Sequence, residues 1–370
     1  MTNNNPKAGS GTENAQKIAC FPRVADYHVP VNMMIERCLG YKTITVPPTT
    51  KKTVELGSKY SPDTVCTPFK IILGNYIEAL NKGANVLVAP AIGCRLGFYD
   101  VLHNEILKDL GYDFEFFNVF EYAATKSRIM RSLKEANPAL TDEQFEAAFG
   151  LTVRAVIDMD ILADTMRKNM GFEINKGEFE KYYKQYLSEI PHVKHTAEAE
   201  ALGNKYKEII KNIKINKPAN PIRIGMVGDL YSVMDADANC HMEKWLAENH
   251  VEIIRPIDLT YLATSLFDID KMVALSGGYV KYYIGGNANN TVALAYEMAQ
   301  NKLDGIIHMK AATCSPEITA MTILQNISKD FNIPIIYFTF DTETGEAGVQ
   351  TRLEAFLDML NMKREKTGCN

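Results

Sequence analysis

Cys66-Thr67-Pro68-Phe69-Lys70 opens a stretch, ending at Gly93-Cys94-Arg95, whose reading decides the fold. Pro68 suits the first turn of a helix, where its missing N–H costs nothing. Behind it, Ile72, Tyr76, Ala79 and Leu80 recur at helical period between Phe69 and Lys82, and Gly83 can close the helix in left-handed geometry. Asn85-Val86-Leu87-Val88-Ala89-Pro90 is a short apolar run that reads as a buried parallel strand. Gly93-Cys94-Arg95-Leu96-Gly97-Phe98-Tyr99 comes next and leads into another amphipathic run. Both cysteines therefore fall just before helix starts, in the kind of loop where open α/β sheets bind their ligands. A helix N-terminus favours thiolate over thiol through its dipole and free N–H groups. Cys314 repeats the arrangement. The strand-like Gly305-Ile306-Ile307-His308-Met309 and a loop of small residues lead to Cys314-Ser315-Pro316-Glu317, which opens a helix.

Outward from this stretch the pattern alternates. Upstream, Lys17–Pro22 reads as a strand, Tyr27–Leu39 as a helix closed by Gly40, and Thr43–Val46 as a strand stopped by Pro47-Pro48. Downstream, Phe114–Val119 is a further strand. From about Glu121 to Lys214 strand signals vanish. Thr141-Asp142-Glu143-Gln144 is a capping box, and Val153, Val156, Ile157 and Ile161 follow at helical spacing. Asn216–Pro221 reads as a linker. Strands at Ile222–Asp229, Glu252–Pro256, Gly305–Met309 and Ile335–Phe340 then alternate with helices, the last from about Val349 to Leu360. The expected fold is α/β: two doubly wound, Rossmann-like parallel-sheet domains, 17–120 and 222–362, joined by a mainly helical segment, 121–215, with residues 1–16 and 363–370 as tails.

A formal charge of −5 without a basic stripe argues against nucleic acid, and no apolar run is long enough to span a bilayer. The polar N-terminal stretch lacks the apolar region of a signal peptide, so a cytoplasmic location is expected. In that compartment the seven cysteines read as thiols or metal ligands rather than disulfides.

Among those seven, Cys20 and Cys38 lie in apolar elements and read as core, and Cys369 lies in the C-terminal tail. Cys240, beside His241 at a helix entrance, has no second signal for a ligand role. His308 reads as a satisfied core histidine, with a ligand role as the alternative, and His103 as structural. The Gly285-Gly286 pair reads as a turn before a helix. No C-x-x-C pair is present, which argues against a zinc ribbon or compact ferredoxin site. Three widely spaced cysteines in matching contexts instead suggest a cluster held between two domains. A structural zinc site with three cysteine ligands is the weaker reading. No P-loop or serine-nucleophile elbow appears, so ATP, if used, is bound by another chain.

The motifs C-T-P-F-K, G-N-Y-I-E-A-L-N-K-G-A-N and G-C-R-L-G-F-Y, with C-S-P-E and T-R-L-E-A-F downstream, resemble the 2-hydroxyacyl-CoA dehydratase and benzoyl-CoA reductase superfamily. The resemblance is greatest to its single-chain branch, related to acyl-CoA dehydratase activase-associated and double-cubane-cluster proteins. It covers roughly Ile18–Leu360. It implies a low-potential iron–sulfur cluster ligated by Cys66, Cys94 and Cys314, with 4Fe–4S the expected form and a double cubane the alternative. It also implies single electrons from a separate ATP-hydrolysing iron–sulfur activator of the actin/Hsp70-like fold. In the dehydratases such an electron makes a ketyl radical at a CoA thioester, so an acyl-CoA is a candidate substrate and a homo- or heterodimer a candidate assembly. The rival is an accessory protein that binds the activator without catalysis. Relatives often carry a second cysteine just before the G-C-R equivalent, where this chain has Pro90-Ala91-Ile92-Gly93. One iron of a cubane is therefore expected to lack a cysteine ligand.

Overall fold

A computed structural model describes residues 16–90, 98–119, 125–265 and 268–367. Contacts divide the chain into two compact units. The first runs to Val65 and resumes over Phe69–Phe149; the second takes Cys66–Pro68 together with the chain from Gly150 onward.

The first unit carries β1 (Ile18–Cys20), α1 (His28–Leu39), β2 (Lys42–Thr43), α2 (Lys51–Tyr60), α3 (Thr67–Asn81, entered from the second unit's Cys66–Pro68), β3 (Val86–Val88), α4 (Tyr99–Asp109), β4 (Glu115–Phe117) and α5 (Lys126–Ala136). Its strands form a parallel sheet in the order β2-β1-β3-β4. Gly40 ends α1 in left-handed geometry, its N–H bonded to the Glu36 carbonyl. The lysine-rich α2 has no apolar stripe to announce it in the sequence. It forms because Thr50 and Thr53 make a reciprocal capping box and because Gly57 and Gly74 let α2 and α3 approach closely. A Cβ on Gly57 would lie 1.6 Å from the Lys70 carbonyl oxygen, and one on Gly74 2.1 Å from that of Thr53. The core gathers Met34, Ile35, Val86, Val88, Leu133 and Phe145.

The long helix α6 (Asp142–Asn169) begins with the expected box: Thr141 N–H donates to Gln144 Oε1 at 3.0 Å, and Gln144 N–H to Thr141 Oγ1 at 3.1 Å. It runs on into the second unit, followed by α7 (Glu178–Glu189) and α8 (Thr196–Lys211). Within the segment read as a linker, Lys217 makes several contacts. Lys217 Nζ donates to the Lys168 carbonyl at 2.8 Å, pairs with Glu252 at 3.0 Å and covers the Phe172 ring.

The second unit continues with β5 (Ile222–Gly228), α9 (Leu230–Met234), α10 (Met242–Glu248), β6 (Val251–Ile254), α11 (Leu259–Ser265), α12 (Ile269–Leu275), α13 (Ala288–Gln300), β7 (Gly305–Ala311), α14 (Ser315–Phe331), β8 (Ile335–Phe340) and α15 (Glu346–Thr367). Its sheet is again parallel, in the order β6-β5-β7-β8. The last helix outruns its sequence-based end because Arg364 pairs with Asp304 at 3.0 Å. The chain is thus an α/β protein with two four-stranded parallel sheets of doubly wound order. Among the described residues no helix is long and apolar enough to cross a membrane.

Candidate functional site

In each sheet the chain reverses its direction of winding between the first and third strands, which opens a crevice at their carboxyl ends. In the second unit that crevice lies beyond β5 and β7. Gly228 ends β5 at φ 144°, and a Cβ there would sit 1.8 Å from the Met309 carbonyl oxygen, so only glycine lets the two strands close up. Asp229 follows. Its carboxylate caps α9 by accepting from Ser232 N–H at 2.9 Å and from the Ser232 hydroxyl at 2.8 Å, and it takes the Ala311 N–H at 2.6 Å. One carboxylate thereby ties the ends of β5 and β7.

Beyond Ala311 the chain turns into the Cys314 loop. Cys314 N–H bonds back to the Ala311 carbonyl at 3.0 Å, and Ala312 N–H to the Phe340 carbonyl at 2.9 Å. The Thr67 hydroxyl donates to that same Phe340 carbonyl at 3.1 Å. One oxygen at the end of β8 therefore holds both the residue after Cys66 and the residue two before Cys314, within one compact unit. Both cysteines are half-buried, neither is in a disulfide, and each directly precedes a helix through a hydroxyl residue and a proline: Cys66-Thr67-Pro68 and Cys314-Ser315-Pro316. Cys314 is the N-cap of a 17-residue helix, where peptide dipoles stabilise an anionic sulfur. Cys94 lies in 91–97, outside the described residues, as does Cys369.

The remaining cysteines sit in different surroundings. Cys20 and Cys38 are core residues, and burial pushes their thiols up to about 12 and about 11. Cys240 is half-buried in left-handed backbone at φ 58°; burial, then Glu346, raises its thiol. Among the described residues no group of three His, Cys, Asp or Glu side chains is arranged to hold a metal ion.

His308 is fully buried on β7 and meets Glu317, at Nε2–Oε2 2.9 Å, rather than a cysteine. Glu317 is itself fully buried, turned inward from the first turn of α14. Its Oε1 lies 3.0 Å from Thr291 Oγ1, and the Thr291 hydroxyl is 3.2 Å from the Gly228 carbonyl. The Thr291 hydroxyl has one proton to offer, and the Glu317 carboxyl and the Gly228 carbonyl share it as acceptors. Burial pushes the Glu317 carboxyl up, opposed by His308. Asn287 Nδ2 adds a bond to the Gly228 carbonyl at 2.7 Å, and Gly285 packs 3.3 Å, measured from an added Cβ, from Pro316. The starts of α13 and α14 are thereby fastened to the end of β5.

Lys310, Glu317, Asp229 and Thr67 are contributors that periodicity could not supply. Lys310 occupies a strand position where a charge is unexpected, and a glutamate three residues into a helix ordinarily faces water. The one available signal was the spacing Cys314-x-x-Glu317, which resembles a capping box, yet Glu317 reaches the core instead of the N-cap.

Residues 124–360 match the family described as 2-hydroxyglutaryl-CoA dehydratase, D-component. The chain belongs to that family. The match includes Cys314 and its supporting network but not Cys66 or Cys94. No protein of curated function matches the chain. Membership in the dehydratase D-component family agrees with the doubly wound sheets. Thr67 and Ala312, neighbours of Cys66 and Cys314 in sequence, share the Phe340 carbonyl, and thiols are the side chains an iron–sulfur cluster takes as ligands.

Proposed function

We propose that this chain is the cluster-bearing component of a 2-hydroxyacyl-CoA dehydratase-type system, with Cys66, Cys94 and Cys314 as thiolate ligands of a 4Fe–4S cluster. The observation that carries the reading is the Phe340 carbonyl shared by Thr67 and Ala312, which fastens two of the three cysteine segments to one strand end. Such a cluster, when bound, supplies single low-potential electrons for radical chemistry at a thioester carbonyl. The chain's own residues hold the Cys66 and Cys314 thiols at helix starts, where anionic sulfur is favoured, and fix the Cys314 loop through Asp229 and the Phe340 carbonyl. The electron donor is a separate ATP-hydrolysing activator, since the sequence carries no nucleotide motif of its own.

Colour tests the reading first. Anaerobically purified protein is expected to be brown, with broad absorbance near about 400 nm from thiolate-ligated iron; colourless protein carrying zinc overturns it. ATP is expected to drive reduction of the cluster only when the activator is added, and ATP-dependent reduction by the rigorously purified chain alone contradicts the assignment of the partner.

A further inference from the structure

Lys310 is the last charged residue of β7, and only 4% of it is exposed. Its ammonium donates to the Ala312 carbonyl at 3.0 Å and to the Ala311 carbonyl at 3.3 Å. The Ala311 carbonyl is also the acceptor for Cys314 N–H, so ammonium and cysteine meet on one oxygen. Two neutral carbonyls repay little of the cost of burying an ammonium, and a neutral donor of similar length would serve them as well. Asp229, whose carboxylate takes the Ala311 N–H at 2.6 Å, supplies negative charge at the same residue. Burial lowers the Lys310 ammonium, and Cys314, then Asp229, then Glu317 oppose that shift. The shared Ala311 carbonyl therefore puts the ammonium on the turn that carries Cys314.

We propose that Lys310 is a positioning residue that clamps the Cys314 loop through the Ala311 and Ala312 carbonyls and raises the reduction potential of the cluster held there by placing a fixed positive charge on that loop. This rests on the function proposed above. A one-electron reduction adds a negative charge at the cluster, and a buried cation at short range stabilises the product more than the reactant. Supporting groups around metal ligands tune potential in this way without touching the metal.

The test is an anaerobic redox titration of the reconstituted full chain with titanium(III) citrate as reductant, followed by electron paramagnetic resonance of the reduced cluster. Lys310→Met removes both charge and hydrogen bonds, Lys310→Gln keeps a donor for the loop, and Lys310→Arg keeps the charge; circular dichroism and thermal melting check the fold of each. The Met and Gln variants are expected to be at least tenfold harder to reduce, a shift of about 59 mV to more negative potential for one electron, while Arg titrates with wild type. Loss of iron from both neutral variants, with retention in Arg, reads the same way. A Gln variant that titrates like wild type, or loss of iron from all three, overturns the assignment. Wild-type protein without iron defeats the proposed function itself, whereas full iron with an unchanged potential in both neutral variants defeats only the role of Lys310.

Discussion

The two sheets share one strand order and differ in what stands behind their carboxyl ends. In the first, strands of two or three residues stand beside an aromatic cluster around Phe69, His103 and Tyr76. Phe69 stacks on His103 at 3.9 Å, His103 Nε2 bonds the Phe69 carbonyl at 3.0 Å, and the Tyr76 hydroxyl donates to the Val88 carbonyl at 2.9 Å. In the second, strands of four to seven residues end in Asp229, Lys310 and the buried His308–Glu317 pair. Topology gives both sheets a crevice. The buried ionisable groups at the second sheet's strand ends can answer a charge that changes during a reaction.

The sharpest break in this comparison comes from backbone. Gly228→Ala forces a Cβ into the Met309 carbonyl at a left-handed φ, so the second sheet should lose on the order of 4 kcal/mol, the sum of overpacking and strain. Gly83, with φ 96° and nothing within 4 Å of an added Cβ, should lose only about 1 kcal/mol in the same substitution. Urea unfolding of the two variants measures both, and equal losses would remove the special closeness of β5 and β7.

A smaller effect separates the sheets by acid. Burial holds His103 down to about 4, below its ordinary 6.5. Its contribution is therefore complete above about 6.5 and is lost as pH falls toward about 4, on the order of 3 kcal/mol in all. His103→Gln should flatten the acid limb of the stability profile, read by melting temperature across that window. An unchanged limb would mean that His103 is not kept neutral by its surroundings.

The second sheet answers in the opposite direction. Glu317 has its folded value raised, so its stabilisation is full below the ordinary carboxylate range and declines as pH rises above it. Glu317→Gln should therefore gain a few degrees in melting temperature relative to wild type on going from about pH 5 to about pH 8. Parallel curves would show that Glu317 is ionised in the folded chain.

Much of the scaffold was legible because it is local. The 3.6-residue and apolar-run patterns mark β1, α1, α3 and β8, Gly40 marks a helix end, and Thr141 with Gln144 marks the start of α6. The helices α2, α11 and α12 were not legible. The first is made by capping and a glycine crossing, and the others are short, seven residues each, with too few turns to show a period. The cysteines could be singled out from their context, but what surrounds them could not. The bond from Thr67 to Phe340 spans 273 residues, and the inward turn of Glu317 depends on Thr291 and His308 from other elements. Such pairings are properties of the packed sheet, and no window of sequence contains both partners.

Iron per chain after anaerobic reconstitution tests the central claim most directly. About four irons per wild-type chain are expected, as for one cubane cluster. They should be lost in each of Cys66→Ala, Cys94→Ala and Cys314→Ala, and kept in Cys240→Ala and His308→Gln. Retention of the full iron content in Cys314→Ala would contradict the account.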